Sequence, residues 1–335
     1  MANATINDVA EKAGVSKSTV SHVLNKTRFV ESETETRVRE AMRELRYRPN
    51  SLARSLRRQE TKTIGLLLPD NLNAYWAELS RVIVRAGYAE GYTVLLGNSD
   101  WSIQHQREYV EAMLAKQIDG IILSTLSPKS DPFDEILRAE VPVVAVHSPP
   151  GGASVSAAMV DNHRGGYLAG QYLAQLGHRR VGCINAPIGF DLHGRIEGFC
   201  DAFAEVGIKL PEAAFVRGDY EFASGSAGVQ ALMERDPGLT AVFAINDNMA
   251  MGAIKGLGKL GRRVPDDVSV IGFDNILYAS AISPELTTIA QPITEMGQAA
   301  FRLLRRCMQD AACTPELVML QPTLIVRESC RAIAL

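Results

Sequence analysis

The stretch TINDVAEKAGVSKSTVSHVLN, residues 5–25, decides the fold of the amino-terminal part of the chain. Its first apolar residues recur at i, i+3, i+4 and i+7, the spacing of one helix face. These residues are Ile6, Val9, Ala10 and Ala13. Gly14 suits a tight turn, and Ser16 suits the N-cap of a second helix. The apolar face of that helix consists of Val20, Val23 and Leu24. Two short helices joined by a tight turn are typical of a helix-turn-helix.

A third helical pattern follows in the same part of the chain. Its apolar residues repeat the first spacing and are Val38, Ala41, Met42 and Leu45. Ser32 precedes the pattern and is predicted to be its N-cap. Three helices in residues 1–46 therefore predict a small helix-turn-helix domain.

The second helix carries polar side chains on the face opposite its apolar residues. They are Lys17, Ser18, Ser21, His22 and Asn25. Donors and acceptors in such a stripe suit base edges and phosphates in the DNA major groove, and the hydroxyl of the neighbouring Thr19 suits a phosphate. The alternative is that the stripe is only the solvated side of a small helix.

Charge is unevenly distributed along the chain. Residues 1–60 carry 12 Lys and Arg against 8 Asp and Glu, a net charge of +4, and the remainder carries 23 against 30, a net charge of −7. A basic head on an acidic body indicates that only the head binds a polyanion. Residues 47–62 are predicted to form a hinge with a short helix that begins after Asn50. In this hinge Leu56 lies among arginines and has no core of its own to join; the alternative is that it packs on the large domain.

From Thr63 onward, apolar strand-like runs alternate with amphipathic stretches of helical length. The runs are Ile64–Leu68, Thr93–Leu96, Gly120–Leu123, Val141–Val146, Ala157–Val160, Val181–Ile184, Ala241–Ile245 and Val268–Phe273. Continuous apolar strands between helices predict an α/β fold with parallel sheets covered on both faces. About ten strands exceed one usual sheet, so two lobes are expected.

Polar and aromatic residues follow these strands at their carboxyl ends, where ligands bind in open α/β sheets. They are Asn73, Tyr75, Trp76, Asn98, Asp100, His147, Asn246 and Asp274, joined by Arg195 from a later helix. Carboxylates, amides and a guanidinium among aromatic rings suit a polyol, because they pair with hydroxyls while the rings cover C–H surfaces. For Tyr75 and Trp76 the alternative is a place in the core. Asp161 is expected to cap a helix or lie at a chain crossing rather than to contact a ligand.

Other function classes find less support in the sequence. The literal G-x-G-x-x-G at Gly256–Gly261 follows a helical stretch, which favours helix packing and termination over a nucleotide loop. A P-loop, H-E-x-x-H, G-x-S-x-G and Cys/His metal spacing are all absent from the sequence, so we expect neither an enzyme nor a cofactor or metal. A solute-binding protein is the stronger rival, but it leaves the first 60 residues unexplained. Five scattered cysteines, no membrane-length apolar run and no signal-peptide pattern predict a reduced, cytoplasmic protein.

The motif residues resemble the opening of the LacI/GalR family of transcriptional regulators. The matching stretches are residues 5–10, 13–16, 18–25 and 46–50, and residues 26–30 and 53–56 resemble its purine- and ribose-repressor branch. The resemblance implies a homodimer on an inverted-repeat operator, with Leu56 as an apolar wedge in the minor groove. It implies base contacts by Lys17, Ser18 and His22. The remaining DNA-binding candidates are Thr5, Ser16, Thr19, Ser21, Asn25, Tyr47, Asn50, Ala53 and Arg57.

The same resemblance extends through the body and implies a sensor like the periplasmic sugar-binding proteins, with a ligand between two lobes. It divides the body into residues 63–161 with 292–321 and residues 162–291 with 322–335. Three further effector candidates are Asp191, Tyr220 and Gln291. His147 departs from the family pattern, since sugar-binding members often carry Asp there.

The family resemblance also bears on which effector is bound. The loop 188–194 looks shorter than in near relatives and lacks the additional arginine expected for purine binding. This difference favours a small sugar, such as the pentose ribose. A purine, a nucleoside or a phosphorylated metabolite is the alternative. The expected partners are therefore operator DNA and a small molecule, with no membrane.

Overall fold

The computed structural model describes residues 4–47, 60–124, 131–147, 155–187, 193–310 and 312–333. It divides into two compact units, residues 1–61 (the head) and residues 62–335 (the body). The hinge helix predicted after Asn50 falls outside the described residues.

The head contains the three predicted helices, α1 (Ile6–Ala13), α2 (Lys17–Asn25) and α3 (Ser32–Glu44). Gly14 ends α1 with a φ of 63°, a left-handed conformation that glycine adopts without a steric penalty. Ser16 caps α2 as predicted, because its side chain accepts a hydrogen bond from the Thr19 N–H at 3.1 Å.

The predicted cap of α3 was wrong. Ser32 is the first residue of the helix, and Glu31 occupies the N-cap position without a side-chain capping bond. The carbonyl of Ser32 instead accepts a hydrogen bond from the Thr36 hydroxyl at 2.9 Å. The α3 amino terminus is therefore stabilised chiefly by its acidic first turn, Glu33 and Glu35.

The core of the head is small and built from the predicted apolar faces. Its buried members are Val9, Ala10, Ala13, Val20, Val23, Val38 and Ala41. Ile6, Leu24, Met42 and Leu45 pack against them while remaining partly exposed. Such a core leaves most of the polar surface of α2 available to solvent.

The first sheet of the body holds six parallel strands in the order β11-β5-β4-β3-β1-β2. These strands are β1 (Thr63–Leu68), β2 (Thr93–Asn98), β3 (Gly120–Ser124), β4 (Val143–Val146), β5 (Ser156–Val160) and β11 (Leu317–Leu320). Its helices are α4 (Ala74–Ala89), α5 (Ile103–Ala115), α6 (Asp131–Arg138) and α11 (Ile293–Gln309). The sheet is buried on both faces: Leu66 of β1 joins one apolar cluster and Leu67 joins another.

The second sheet also has six strands, in the order β12-β10-β9-β8-β6-β7, and only the β10–β12 pair is antiparallel. These strands are β6 (Val181–Asn185), β7 (Phe215–Arg217), β8 (Ala241–Ala244), β9 (Ser269–Asp274), β10 (Thr287–Ala290) and β12 (Thr323–Ile325). Its helices are α7 (Asn162–Gln175), α8 (His193–Glu205), α9 (Phe222–Arg235) and α10 (Asp247–Lys259). A core of aromatic and aliphatic residues, including Phe199, Phe243 and Phe273, lies beneath them.

The chain passes between the two sheets three times within the body. It leaves the first sheet after β5, returns after β10, and leaves it again after β11. The loops at the carboxyl ends of both sheets therefore meet at one cleft. Within the described residues, no helix has the length and apolar character needed to span a membrane.

Candidate functional sites

The polar face of α2 lies at the surface of the head, as the sequence predicts. Ser16, Lys17 and Ser18 are exposed, and Ser21 and His22 are half-buried. Val20 and Val23 point the other way into the core. The helix therefore presents its hydrogen-bonding groups outward on a rigid element.

Local hydrogen bonds orient several of these side chains. The hydroxyl of Ser16 lies 2.8 Å from that of Thr19, and the Asn25 amide donates to the Ser21 carbonyl at 2.8 Å. His22 Nδ1 lies 2.8 Å from the Thr27 hydroxyl, which leaves Nε2 as the ring nitrogen available to an outside partner. The stripe is thus partly pre-organised before any contact with DNA.

The other DNA-binding candidates in the head have structural roles as well. Thr5 forms a capping box with Asp8 at the start of α1, and its backbone N–H and hydroxyl both lower the pKa of the Asp8 carboxyl. Tyr47 packs against the head core. Asn50, Ala53, Leu56 and Arg57 lie outside the described residues, so their DNA-binding roles stay predictions.

In the body, the structure brings nine of the ten predicted effector residues around one cleft. They are Asn73, Tyr75, Trp76, His147, Arg195, Tyr220, Asn246, Asp274 and Gln291. Asp191 lies outside the described residues. Trp101 also lines the cleft and was not among the predicted residues.

A buried ion pair occupies the second-sheet side of the cleft. Arg195 Nη1 lies 3.6 Å from Asp274 Oδ1, and the two residues are only 3% and 6% exposed. Gln291 Nε2 donates to the same carboxylate oxygen at 2.7 Å. Burial raises the pKa of Asp274 to about 6, against the opposing effects of Arg195 and Gln291.

Arg195 is held in place from three sides. Its Nε donates to Asn162 Oδ1 at 2.8 Å, its Nη1 donates to the Ile245 carbonyl at 2.6 Å, and its guanidinium lies 3.6 Å from the centre of the Phe273 ring. The helix that carries Arg195 lies very close to α7, because a Cβ at Gly166 would stand 1.9 Å from the Arg195 carbonyl oxygen. The guanidinium is therefore positioned before a ligand arrives.

Three rings form the first-sheet wall of the cleft. Tyr75 and Trp76 meet edge to face at 5.0 Å, and Trp76 meets His147 at 4.9 Å. The Tyr75 hydroxyl lies 2.8 Å from His147 Nε2. Burial, with the nearby Arg195 charge, lowers the pKa of His147 to about 3, so the imidazole is neutral at physiological pH.

Trp101 and Tyr220 form a stacked pair across the cleft, with ring centres 4.7 Å apart and planes 5° from parallel. Trp101 follows β2 of the first sheet, and Tyr220 follows β7 of the second. The Tyr220 hydroxyl also donates to the Pro187 carbonyl at 2.8 Å. The expectation for Asn98 and Asp100 was wrong, because these two side chains bond to each other at 2.6 Å and do not line the cleft.

Two of the predicted amides also cap helices. Asn73 accepts from the Tyr75 N–H at 3.0 Å, and Asn246 accepts from the Met249 N–H at 2.9 Å while donating to the Tyr220 carbonyl. Both bonding functions of the Asn246 side chain are thereby used within the protein. Asp161 caps α7 by accepting from the Arg164 N–H at 2.8 Å, which confirms its expected role as a helix cap.

Sequence reasoning missed a second buried carboxylate, Asp247. Its oxygens accept from the Ile276 N–H at 2.9 Å and from the Thr288 hydroxyl at 2.5 Å. Burial and the nearby Asp274 raise its pKa well above the ordinary value. Asp247 thereby holds Ile276, in the loop that directly follows Asp274 at the end of β9.

Backbone conformations around the cleft are unusual for residues with side chains. Four of the residues that line it have a positive φ: Trp101 (57°), His147 (70°), Tyr220 (74°) and Asp274 (118°). Such conformations cost free energy and persist where the surrounding structure enforces them, often at functional sites. In the described parts of the chain, no group of three or more His, Cys, Asp or Glu side chains could hold a metal ion.

Comparison with known proteins adds family evidence to this geometry. Residues 5–50 match the family model of bacterial regulatory proteins of the lacI family, and residues 171–330 match a periplasmic binding protein-like domain. The chain is 40% identical over 330 residues to the HTH-type transcriptional repressor PurR of Escherichia coli O1:K1 / APEC, covering 97% of this chain and 96% of that relative. Such relatives are repressors rather than enzymes.

Solved structures of similar proteins include DNA-bound and sugar-bound members. One is the lac repressor dimer bound to operator and the anti-inducer ONPF, with a TM-score of 0.88, 26% identity, and coverage of 99% of this chain and 100% of that chain. Another is a LacI family regulator from Enterococcus faecium with bound ribose, with a TM-score of 0.74, 32% identity, and coverage of 81% and 100%. The regulator CelR in complex with cellobiose has a TM-score of 0.76, 30% identity, and coverage of 97% and 99%.

Proposed function

The chain belongs to the LacI family of bacterial regulatory proteins, and on that premise we propose that its operator affinity is controlled by a small sugar, of pentose size, bound in the cleft. It is a DNA-binding transcriptional repressor with a ligand-sensing body. We also propose that two chains pair on DNA.

The observation that carries the proposal is the mixed donor and acceptor set on Arg195, Asp274 and Gln291. Gln291 is 6% exposed, and its Oε1 has no hydrogen-bond partner among the described residues. A buried acceptor without a partner costs about 1–3 kcal/mol, so a hydroxyl donor from a ligand would relieve that cost. Asp274 offers a carboxylate and Arg195 a guanidinium beside it, which suits adjacent hydroxyl groups.

The aromatic rings favour a sugar over a flat base. Trp101 already covers one face of Tyr220 at 4.7 Å, so a purine could not stack on that face without displacing the indole. The ring planes of Tyr75, Trp76 and His147 are steeply inclined to one another. Together they form an apolar surface without one flat face, which suits the C–H groups of a sugar.

A purine is the second candidate, and one observation favours it. The 40% identical relative is named PurR, and the similarity covers nearly the whole of both chains. Asp274 and the Gln291 carbonyl could accept hydrogen bonds from ring N–H groups as well as from hydroxyls. The solved relative with bound ribose supports the sugar instead.

On the DNA side, we propose that two heads bind an inverted repeat, one α2 helix to each half-site. Lys17, Ser18 and His22 would contact bases, because they lie on the outward face of α2. The hinge wedge at Leu56 would widen the minor groove between the half-sites. These roles rest on the family membership and on the outward placement of the α2 side chains.

The test is isothermal titration calorimetry of the full-length protein with D-ribose, other pentoses, hexoses, hypoxanthine and guanine. We expect a pentose to bind and the bases not to bind. Asp274→Asn should abolish that binding, whereas Asp201→Asn, an exposed carboxylate on α8, should leave it unchanged. Binding of hypoxanthine or guanine without any sugar binding would establish the second candidate instead.

A further inference from the structure

Two cysteines far from the described roles lie against each other at the end of α11. Cys307 Sγ and Cys313 Sγ are 2.7 Å apart, the first in the last turns of α11 and the second in the segment that leads into β11. Both side chains are partly exposed. A disulfide bond is about 2.05 Å long, so a small movement would bring these sulfurs to bonding distance.

Arg306 fixes the segment that carries Cys313. Its Nη2 donates to the Thr314 carbonyl at 3.0 Å, its Nε donates to Cys313 Sγ at 3.4 Å, and its Nη1 pairs with the Glu316 carboxylate. The Cys313 sulfur is thereby held in contact with the Arg306 guanidinium.

Ser156, the first residue of β5, contacts both Cys307 and Glu316, two residues that lie on either side of Cys313 in the chain. Its hydroxyl accepts from the Glu316 N–H at 3.1 Å and lies 3.9 Å from Cys307 Sγ. The two sulfurs therefore face each other in a short loop whose ends are both anchored to the body.

The other cysteines are in different surroundings. Cys183 is fully buried in the core of the second sheet, and burial raises its thiol pKa. Cys330 donates to the Val270 carbonyl at 3.2 Å, and burial raises its pKa to about 12. Cys200 is partly exposed, and burial together with nearby carboxylates raises its pKa. Among the described residues, only Cys307 and Cys313 have their sulfurs in contact.

We propose that Cys307 and Cys313 form a redox-modification site, an internal disulfide made by exchange with a low-molecular-weight disulfide such as glutathione disulfide and reopened by thiols. Cys313 loses its proton and attacks one glutathione sulfur, that S–S bond breaks, and the departing glutathione thiolate takes up the proton. Cys307 then loses its proton and attacks Cys313 Sγ, and the second glutathione leaves with that proton. Two protein thiols are oxidised and one glutathione disulfide is reduced to two thiols.

The geometry assigns different roles to the two sulfurs. Cys313 lies beside the Arg306 guanidinium and starts the exchange, whereas burial and the contact with Cys313 raise the pKa of Cys307 to about 11, so Cys307 reacts second. The resulting bond would tie the end of α11 to the segment before β11. That strand ends at Leu320, and only two residues separate it from β12 in the second sheet. The bond would therefore restrain the last connection between the two sheets.

The test exposes the reduced full-length protein to glutathione disulfide, alkylates the remaining thiols and reads the products by peptide mass spectrometry. We expect the wild-type protein and the control Cys200→Ser to form the Cys307–Cys313 bond. Cys307→Ser and Cys313→Ser should lose it completely, and Cys307→Ser should retain glutathione on Cys313. Wild-type protein that stays reduced, or that accumulates glutathione on both cysteines without the internal bond, would overturn the proposal.

A second readout tests the structural consequence. Hydrogen exchange of the β11 amides should slow in oxidised wild-type protein relative to reduced protein, because the bond restrains the segment before the strand. Glutathione-treated Cys307→Ser should show no such slowing. Equal exchange in oxidised and reduced wild-type protein would contradict the anchoring role.

Discussion

The α2 face of the head and the cleft of the body use polar side chains in opposite ways. On α2 the polar groups are exposed or half-buried and rest on a core of seven small or medium apolar residues. In the cleft, Arg195, Asp274 and Gln291 are almost fully buried, and burial shifts the pKa of Asp274. The exposed groups of the first surface suit a large, hydrated polyanion, and we propose that the second encloses a small neutral molecule.

The difference predicts which physical variables control each site. Exposed charges are screened by salt and contribute through counterion release on DNA, whereas buried pairs are screened much less. A buried polar group that is left without a hydrogen-bond partner costs more free energy than an exposed one, which can bond to water. A single chain should therefore contain one site that is sensitive to salt and another that is sensitive to small changes in its hydrogen bonding.

The largest expected effect is that of salt on the two sites. Raising the salt concentration from 50 to 200 mM should weaken operator binding by about 10³-fold or more, since several phosphates are neutralised. Ligand affinity should change by less than about twofold over the same range, because the ion pair is buried. Fluorescence anisotropy for DNA and calorimetry for the ligand measure the two slopes. If operator affinity and ligand affinity depended equally on salt concentration, the two sites would not differ in the way proposed.

Removing Arg195 should have the next largest effect, on the stability of the body and on ligand binding. Arg195→Ala leaves Asp274 buried without its cation and also removes the donors to Asn162 and Ile245, so the body should lose about 3 kcal/mol of unfolding free energy. Ligand binding should fall by about 10²-fold or more.

A matched control separates this effect from a general loss of charge. Arg164→Ala removes an exposed arginine on α7 and should change either quantity by less than about 0.5 kcal/mol. Chemical denaturation and calorimetry report both effects. Intact ligand binding in Arg195→Ala would take Arg195 out of the site.

Asp274 should make ligand affinity depend on pH in a narrow range. Its pKa of about 6 exceeds the value of about 3.9 in unfolded chains, so the folded protein holds the proton more tightly. The contribution of Asp274 to the free energy of unfolding therefore declines as the pH rises from about 4 to about 6. Ligand affinity should follow the opposite trend and fall as the pH drops below about 6, by up to about tenfold per unit.

Of the other titrating groups near the cleft, only Asp247 needs a control. The pKa of His147 is about 3, so its imidazole stays neutral over this range, and the guanidinium of Arg195 stays charged. Asp247 faces Asp274 and also has a raised pKa, so Asp247→Asn is the necessary control. Calorimetry from pH 5 to 8 is the measurement, and a flat profile would contradict the role of Asp274.

The smallest expected effect concerns the cap of α2. Ser16→Ala removes the acceptor for the Thr19 N–H and should reduce the local stability of α2 by about 1 kcal/mol. Ser32→Ala is the control, because Ser32 makes no side-chain cap and should change the stability of α3 by less than about 0.5 kcal/mol. Hydrogen exchange of the helix amides in the full-length protein compares the two. If Ser32→Ala destabilised its helix more than Ser16→Ala did, Ser32 rather than Ser16 would be the stabilising cap.

The same contrast explains how much the sequence could predict. The head follows from local rules: helix spacing, a left-handed glycine and a serine cap lie within a few residues of one another. The cleft residues could be predicted because parallel strands bring their carboxyl ends to one edge. Most candidates in the described residues indeed lie around one cavity.

The sequence could not reveal which way each side chain turns after its strand. Asp100 and Trp101 both have a positive φ, and that backbone path places the indole in the cleft while Asp100 pairs with Asn98. No local pattern predicts a positive φ at a tryptophan, because it is enforced by the surrounding packing. The strands β7, β10 and β11 were also missed. β7 and β11 lie at sheet edges and are only partly buried, and β10 has only four residues, two of which are threonines.

The measurement that tests the account most directly is operator affinity with and without the effector. An inverted repeat selected from random DNA by the full-length protein would be titrated by fluorescence anisotropy with D-ribose, with hypoxanthine and with neither. Coupling free energies of 1–3 kcal/mol are typical, so ribose should shift the dissociation constant by about 5- to 150-fold, and Asp274→Asn should abolish that shift. A shift caused by hypoxanthine and not by any sugar, or DNA binding that no ligand of the cleft alters, would contradict the account.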